Sequence, residues 1–255
     1  MIRVAAIGDV HYDRHSQNRM REAFLGLKNR ADILLVAGDL TQSGAVEEAA
    51  ALVHDLREID VPVVSVLGNH DFHQDQQERI MDLLRNSGIQ VLEGNSIVLH
   101  VREYTVGIMG LKGFGGGFFG ACVTDFGEPE TKAFARHAKA QANTLREGLD
   151  RLTSDFKFVL THFAPIEATL LGEKREIYPF LGSYLLGEAI DSAGVHAAFH
   201  GHAHFGTERG TTKGGVPVRN VAQTVIRHAY HIYTFEQPGP RPNIERLAPA
   251  SLSSP

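Results

Sequence analysis

Three histidines stand at alternate positions in the short segment FHGHAHFG, residues 199–206: His200, His202 and His204. Neutral imidazoles are common ligands of transition metals, so this spacing suggests a metal site. In an extended segment all three side chains would share one face, and strand periodicity alone does not choose among them. The segment therefore predicts metal binding without showing which imidazoles take part.

Metal-capable side chains also follow four earlier apolar runs, in the segments GDVH, GDL, GNHD and THFAP. With the GHAH segment they make up a candidate set of Asp9, His11, Asp39, Asn69, His162, His202 and His204. Carboxylates, an amide oxygen and imidazoles suit Mn, Fe, Co, Ni or Zn better than a thiolate-preferring metal. Seven side chains exceed what one ion takes, whereas two ions about 3.5–4 Å apart that share a carboxylate would use them all.

Each segment has an ordinary structural explanation when it is considered alone. A single Asp after a strand commonly caps a turn or a helix, and a single His on an apolar strand is commonly a core residue with a satisfied hydrogen bond. Five such segments, in an order that the topology brings to one sheet edge, are poorly explained by coincidence. We therefore expect a metal centre.

Apolar runs alternate with amphipathic stretches over residues 1–71. RVAAIGD, DILLVAGD and VPVVSVLGNHD are typical of buried parallel strands, because they are largely apolar and lead into Gly and Asp or Asn. Asp9, Asp39 and Asn69 follow these runs at a regular spacing of 30 residues, about the length of one βαβ unit. Because parallel strands end at one edge of a sheet, where ligands bind, we expect the three side chains to lie together.

Two helices are predicted between these strands. The first follows from four apolar residues that recur with the period of a helix with one buried face: Met20, Phe24, Leu27 and Ala31. The second covers SGAVEEAAALVHDLREI and has Ser43 as its expected N-cap. The order of elements is therefore β-α-β-α-β.

The remaining sequence predicts further strands around one long helix. Strands are expected in IQVLEGNSIVLHV, EYTVGIMGL, FKFVLTHFAP, VHAAFHGHAH, VPVRNVAQTV and HAYHIYTFE. A long helix is expected from about Glu130 to Leu152, and another near residues 183–193. The glycine-rich GFGGGFFG, residues 113–120, has two interpretations: a flexible lid whose rings cover an apolar group of a substrate, or a loop that packs those rings into the core.

In their order along the chain, GDVH, GDL, GNHD, THFAP and GHAH resemble the signature blocks of the calcineurin-like metallophosphoesterases. The resemblance spans residues 8–204. It implies an α/β fold, a four-layer α/β/β/α sandwich of two mixed sheets flanked by helices. We expect a single domain of this kind over residues 1–237, followed by a Pro-rich C-terminal tail over residues 238–255.

The same resemblance implies two metal sites and assigns the candidate residues to them by position. The first ion would be held by Asp9, His11 and His204, the second by Asn69, His162 and His202, and both by the bridging Asp39. Manganese and iron are the expected metals, with zinc, nickel and cobalt as alternatives.

The implied reaction is the hydrolysis of a phosphoester. Two divalent ions bring four positive charges and the carboxylates of Asp9 and Asp39 return two, which leaves about two for a bridging hydroxide and a phosphate. The ions lower the pKa of the bridging water, whose hydroxide attacks phosphorus in line. His70 acts with Asp39 in catalysis and protonates the leaving group, while Asp71 either orients His70 or caps its loop.

Departures from one branch of the superfamily narrow the expected substrate. The serine/threonine protein phosphatases carry GDxxDRG and GNHE, where this chain has GDLTQSG and GNHD. Gln42 and Ser43 thus replace an acid that orients the catalytic histidine and an arginine suited to bidentate phosphate binding. The pattern is more similar to the bacterial phosphodiesterase branch, and we expect hydrolysis of a small, nucleotide-like phosphodiester.

Three other functions are alternatives to this one. A phosphomonoesterase would use the same residues, so the motifs do not separate it from a phosphodiesterase. A nuclease is disfavoured, because a net charge of -5 and a pI near 6.3 provide no basic field for long nucleic acid. A non-catalytic scaffold would be expected to have lost metal ligands or the catalytic histidine, and neither loss is visible.

Composition also indicates the cellular compartment of the protein. Cys122 is the only cysteine, which excludes an intrachain disulfide and favours a reducing cytoplasm. MIRVAAIGDV lacks the basic start and long apolar core of a signal peptide, and no run approaches membrane-spanning length. The oligomeric state has no signature in the sequence, and the expected partner is a small-molecule phosphoester.

Overall fold

The three apolar runs at the start of the chain form the centre of the first sheet in the computed structural model, which describes residues 1–236. This sheet contains β1 (Ile2–Ile7), β2 (Ile33–Ala37), β3 (Val63–Val66), β4 (Gln90–Val91) and β13 (His231–Phe235). The strand order is β13-β1-β2-β3-β4, with β13 antiparallel to β1 and the other pairs parallel. The regular spacing of the ligand candidates thus reflects successive parallel strands, as predicted.

A second, six-stranded sheet is built from strands that lie between residues 95 and 220. Its strands are β5 (Asn95–Val101), β6 (Tyr104–Leu111), β9 (Phe156–Thr161), β10 (Ala197–His200), β11 (Arg209–Thr211) and β12 (Pro217–Asn220). They follow the order β11-β12-β10-β9-β6-β5, and only the two edge strands, β5 and β11, run antiparallel to their neighbours. A separate small hairpin joins β7 (Gly117–Phe118) to β8 (Ala121–Cys122).

Helices cover the outer faces of both sheets. They are α1 (Arg21–Phe24), α2 (Val46–Leu56), α3 (Gln77–Asn86), α4 (Pro129–Arg151), α6 (Tyr184–Asp191) and α7 (Gln223–Ile226), while α5 (Tyr178–Leu181) packs against the small hairpin. Short 3₁₀ turns lie at Leu27–Asn29, His70–Phe72, Glu167–Leu170 and Arg175–Ile177. The long helix predicted from about Glu130 to Leu152 is confirmed as α4.

The packing of β2 shows why its sequence is apolar throughout. Leu34 and Val36 pack with the helices α2 and α3, whereas Ile33 and Leu35 face the opposite side. There they meet phenylalanines of the second sheet, including Phe158. Because side chains alternate between the faces of a strand, a strand between two apolar layers has no polar face. With α4 and α6 packed outside the second sheet, the predicted four-layer architecture is confirmed.

The first predicted helix is much shorter than its pattern suggests. Its four apolar residues are all buried, as expected, but α1 ends at Phe24. Gly26 adopts a φ of 67°, in the left-handed region, and the 3₁₀ turn Leu27–Asn29 follows. A left-handed residue cannot continue an α-helix, so the buried face is carried by two short turns instead.

Two other element boundaries also differ from the prediction. Ser43 does not cap α2: its Oγ donates to Glu48 Oε1 at 2.8 Å, and the helix begins at Val46. The strand expected through VPVRNVAQTV ends at Asn220, whose Oδ1 accepts the Ala222 N–H at 3.1 Å. In both places a polar side chain forms a local hydrogen bond that competes with regular structure, which explains the two differences.

Candidate metal centre

The carboxyl-terminal ends of strands from the two sheets lie next to each other. Every candidate ligand lies in a loop that begins at this edge. The Gly8 N–H, just after β1, donates to the Val221 carbonyl at 2.8 Å, just after β12. Asp9 and Asp39 stand two residues beyond β1 and β2, and His162 follows β9 directly. Residues from distant parts of the chain are thereby brought together at one edge.

Four metal-capable side chains form a first cluster, the Asp9 group: Asp9, His11, Asp39 and His204. Their candidate ligand atoms all lie within 4.8 Å of one another. His204 Nε2 is 2.9 Å from Asp9 Oδ1 and 3.4 Å from His11 Nε2, and His11 Nε2 is 3.8 Å from Asp39 Oδ2. The nitrogens and carboxylate oxygens thus converge on one small volume.

A second cluster, the His162 group, lies on the other side of Asp39. It contains Asp39, His162 and His202, whose candidate atoms lie within 4.8 Å of one another, together with Asn69. Asn69 Oδ1 is 2.9 Å from His162 Nε2, and that nitrogen is 3.4 Å from Asp39 Oδ1. Asp39 therefore belongs to both groups, with Oδ2 toward His11 and Oδ1 toward His162.

Backbone carbonyls orient both imidazoles of the His162 group. His162 Nδ1 is 2.8 Å from the Ala37 carbonyl, and His202 Nε2 is 3.1 Å from the Phe180 carbonyl. Only an N–H can donate to a carbonyl, so His162 keeps Nε2 and His202 keeps Nδ1 as lone-pair nitrogens. Such hydrogen bonds fix the tautomer and the ring orientation that a metal ligand needs.

The loops that carry these residues have unusual backbone conformations. Asp9, His11, Asp39 and His202 have φ angles of 55°, 42°, 49° and 69°, in the left-handed region. Each such non-glycine residue costs on the order of 1–3 kcal/mol and persists only where the surroundings hold it. Gly201 is required for a different reason, since a Cβ there would collide with Asp9 Oδ2.

The electrostatics of the centre favour bound cations. Asp9 and Asp39 are 3% and 1% exposed, and burial, followed by the neighbouring Asp9 and Asp71 carboxylates, raises the pKa of Asp39 far above its ordinary value. Burial also lowers the pKa of His202 to about 3 and that of His11 to about 4, so both imidazoles are neutral near pH 7. Closely spaced buried carboxylates beside neutral imidazoles are the donor set that a divalent transition metal fits.

His70 lies next to both groups with its ring held in place. Its Nε2 is 4.0 Å from Asp39 Oδ2, and its ring centre is 4.5 Å from that of His11. Its Nδ1 is 2.7 Å from the carbonyl of Gln42, and its backbone N–H donates to Asp39 Oδ1 at 2.8 Å. The ring therefore presents Nε2 to the space beside Asp39.

Comparison with known proteins identifies the superfamily. Residues 2–206 match the family described as calcineurin-like phosphoesterase. The chain belongs to the calcineurin-like phosphoesterase family. The family and fold predicted from the five sequence blocks are thereby confirmed, and the protein is a hydrolase that acts on phosphoric esters.

Solved structures share the fold of this phosphoesterase at low sequence identity. Phosphopantetheinyl hydrolase from Mycobacterium tuberculosis has a TM-score of 0.62 and 17% identity over 88% of this chain and 90% of its own. A putative 5'-nucleotidase from Staphylococcus aureus has a TM-score of 0.56 and 18% identity over 86% and 48%. GAP50, the anchor in the inner membrane complex of Plasmodium, has a TM-score of 0.55 and 14% identity over 88% and 72%. No curated protein matches the sequence.

Of the two roles predicted for Asp71, orienting His70 or capping its loop, the structure supports the second. It is fully buried and accepts hydrogen bonds from the Leu40, Thr41 and Gly68 backbone N–H groups and from Thr41 Oγ1, at 2.6–3.2 Å. It therefore ties together the loops that carry Asp39 and Asn69. Gln42 orients His70 instead, through a main-chain oxygen that every residue type possesses, and sequence reasoning missed it for that reason.

His200 stands apart from the two ligand groups of the phosphoesterase. It is fully buried, with Nδ1 2.7 Å from the Gly201 carbonyl and Nε2 2.8 Å from Thr169 Oγ1. Both ring nitrogens are thus engaged within the protein. The three histidines of the sequence segment separate into one structural residue and two that face the candidate metal centre.

The glycine-rich segment packs two of its three rings against the protein. The Phe114 ring centre is 4.8 Å from that of Phe134, and Phe118 is 3% exposed against Tyr178. Phe119 is 59% exposed and lies 4.7 Å from Tyr184. The core-packing interpretation therefore holds for Phe114 and Phe118, and only Phe119 has the exposure expected of a lid residue.

Proposed function

We propose that this phosphoesterase hydrolyses the phosphodiester of a small, nucleotide-like molecule with two transition-metal ions, manganese or iron. The observation that carries the proposal is the position of Asp39, whose two oxygens face opposite ligand groups. A carboxylate shared in this way is what a two-metal centre requires. The Asp9 group would hold one ion and the His162 group the other.

The residues of the chain would divide the chemical work among them. Two bound ions would polarise the phosphoryl oxygens and lower the pKa of a water molecule between them. The carbonyls of Ala37 and Phe180 keep the His162 and His202 rings oriented, which avoids rearrangement during turnover. Asp39 would contribute one carboxylate oxygen to each ligand group.

His70 is the proposed general acid. With Nδ1–H donated to the Gln42 carbonyl, a protonated ring would direct Nε2–H toward the substrate. Transfer of that proton to the departing oxygen avoids the release of a poor leaving group. Positioned proton donors contribute roughly 10²–10⁴-fold to rate, so His70→Ala should reduce kcat by that order.

The test is the hydrolysis of an aryl phosphodiester in the presence of added manganese. Asp39→Ala should abolish turnover, because both ligand groups lose their shared carboxylate. Asp150→Ala, the same substitution on the exposed side of α4, is the matched control and should retain full activity. Robust turnover by the Asp39 variant would refute the proposal.

A phosphomonoesterase on the same residues is the principal alternative. Relative rates on paired aryl monoester and diester substrates decide between them, and a large excess of monoester turnover would favour the alternative. The fold also occurs in GAP50, described as an anchor, so a non-catalytic scaffold is a further alternative. Absence of bound transition metal together with inactivity on a broad phosphoester panel would favour that one.

The proposed setting is a reducing cytoplasm. The single cysteine, Cys122, is exposed and has no partner for an intrachain disulfide. No helix within residues 1–236 is both long and apolar enough to cross a bilayer. Fractionation of the native host, with detection of the protein outside the cytoplasm, would contradict this placement.

A further inference from the structure

Lys112 is hydrogen-bonded through its backbone to the segment that carries His162, although it is not itself a candidate metal ligand. It follows β6 directly, and its carbonyl accepts the N–H groups of His162 at 3.0 Å and Phe163 at 3.1 Å. The lysine backbone is therefore fixed to the end of β9, where the His162 group begins.

The Lys112 ammonium lies among aromatic rings that adjoin functional side chains. Nζ is 4.4 Å from the centre of the Phe72 ring and 5.8 Å from those of Phe114 and Phe163. Phe72 ends the 3₁₀ turn that begins at His70, and the Phe163 ring centre is 4.4 Å from that of His202. The ammonium thus lies beside the segments that carry the proposed acid and the His162 group.

No anion within the described residues neutralises this ammonium at close range. Lys28, by comparison, has Nζ 2.9 Å from Asp60 Oδ2, whereas no carboxylate of the described residues forms a salt bridge with Lys112, whose Nζ lies 4.4 Å from the centre of the Phe72 ring. Burial lowers the pKa of Lys112, and the more distant Glu93 and Asp39 carboxylates partly oppose that effect. A partly desolvated cation on aromatic faces gains substantially when an anion completes its coordination.

We propose that Lys112 and Phe72 form a subsite for a second anionic group of the substrate, a carboxylate or a phosphate, attached beyond the scissile phosphate. The inference rests on the proposed function and specifies its substrate class. No candidate ligand atom lies within hydrogen-bonding distance of Nζ, so the ammonium is placed to the side of the ligand groups. A neighbouring group on the same substrate is therefore the anion that it can reach.

The experiment compares diesters that differ only in the charge of the arm that stays behind. Phenyl p-nitrophenyl phosphate is the neutral-arm substrate, and its 4-carboxyphenyl and 4-phosphonophenyl analogues carry the second anion. We expect the wild-type protein to favour the anionic arms in kcat/KM. Lys112→Met keeps the apolar stem over Phe72 but removes the charge, and it should reduce that preference about tenfold, mainly through KM.

Two further variants make the outcome specific to the charge. Lys112→Arg retains the cation and should restore most of the preference. Lys139→Met, on the exposed side of α4, is a matched control that should leave the preference at the wild-type value. Manganese content and circular dichroism of each variant would verify that the ligand groups and the fold persist.

Several outcomes would overturn the inference. An unchanged preference in Lys112→Met would show that the ammonium does not contact the second anion. An equal loss on all three substrates would place Lys112 on the scissile phosphate instead. If the wild-type protein hydrolysed none of the diesters, the proposed function would fail and this inference with it, a result distinct from diester hydrolysis without a charge preference.

Discussion

The two ligand groups differ in what holds their imidazoles. In the Asp9 group, the side chains of His11 and His204 are 17% and 32% exposed, and their Nε2 atoms face carboxylates and each other. In the His162 group, the His162 side chain is 0% exposed and both imidazoles are tied to main-chain carbonyls. The imidazoles of the His162 group are therefore oriented before any metal binds, whereas the Asp9 group is more exposed to solvent and contains more carboxylates.

This difference indicates how the two proposed sites share their tasks. A pre-oriented, buried site loses little entropy on binding an ion and releases it slowly, since its ligands have no alternative partners in water. A more open site exchanges its ion and admits substrate more readily. We therefore expect a tightly held ion in the His162 group and a more exchangeable one in the Asp9 group.

The largest predicted effect comes from the residue that the groups share. Asp39→Asn should lower kcat/KM by more than about 10³-fold and weaken both ions, because one substitution removes charge from both sites. Asp9→Asn should weaken only the first ion. Metal stoichiometry by plasma mass spectrometry, measured beside the kinetics, checks both. Equal metal loss in the two variants would contradict the shared role of Asp39.

Single-histidine variants should separate the groups. His162→Ala should lower metal affinity by about 100-fold or more and His11→Ala by about tenfold, because only His162 is fully buried and fixed by a carbonyl. Competition with a chelating dye gives the affinities, and dilution into EDTA gives the release rates. In the wild-type protein one equivalent of metal should leave well before the other, and simultaneous release would argue against the asymmetry.

Acidification should empty the Asp9 group first. The hydrogen bond that His204 Nε2 donates to the Asp9 carboxylate raises the pKa of His204, whereas burial lowers that of His162 well below its ordinary value. A raised pKa means that a proton competes with the metal at higher pH, so affinity at the first site should fall about tenfold per pH unit below the His204 pKa. Manganese titrations between pH 8 and pH 5 should show one site weakening early. Loss of both sites over the same pH range would contradict this order.

The smallest predicted effect concerns His200, which belongs to neither group. His200→Gln should leave two metal equivalents and near wild-type turnover, and lower the free energy of unfolding by about 1–3 kcal/mol through its buried hydrogen bonds. Urea denaturation monitored by circular dichroism measures the stability. If this variant bound only one equivalent of metal, His200 would have to be counted among the metal ligands.

Local sequence was sufficient to predict the order of strands and helices at the start of the chain and the positions of the ligand candidates, whereas the four-layer architecture followed from the resemblance of the five sequence blocks to a known family. A buried parallel strand requires a largely apolar run, and a polar residue after it emerges at the sheet edge, so Asp9, Asp39 and Asn69 could be placed from spacing alone. The same reasoning failed where one residue overrode a periodic pattern. Gly26 interrupted the first helix, and Glu48 engaged Ser43 away from the expected cap.

The sequence by itself determined which residue types stand at the strand ends, because strand periodicity and turn chemistry are local properties. Only the tertiary structure decided the roles that depend on contacts across the chain. His200 turns to Thr169, Gln42 holds His70 through a main-chain carbonyl, and Lys112 lies over Phe72. Such contacts join residues that are 28 to 40 positions apart or use backbone atoms common to all residues, so no local pattern encodes them.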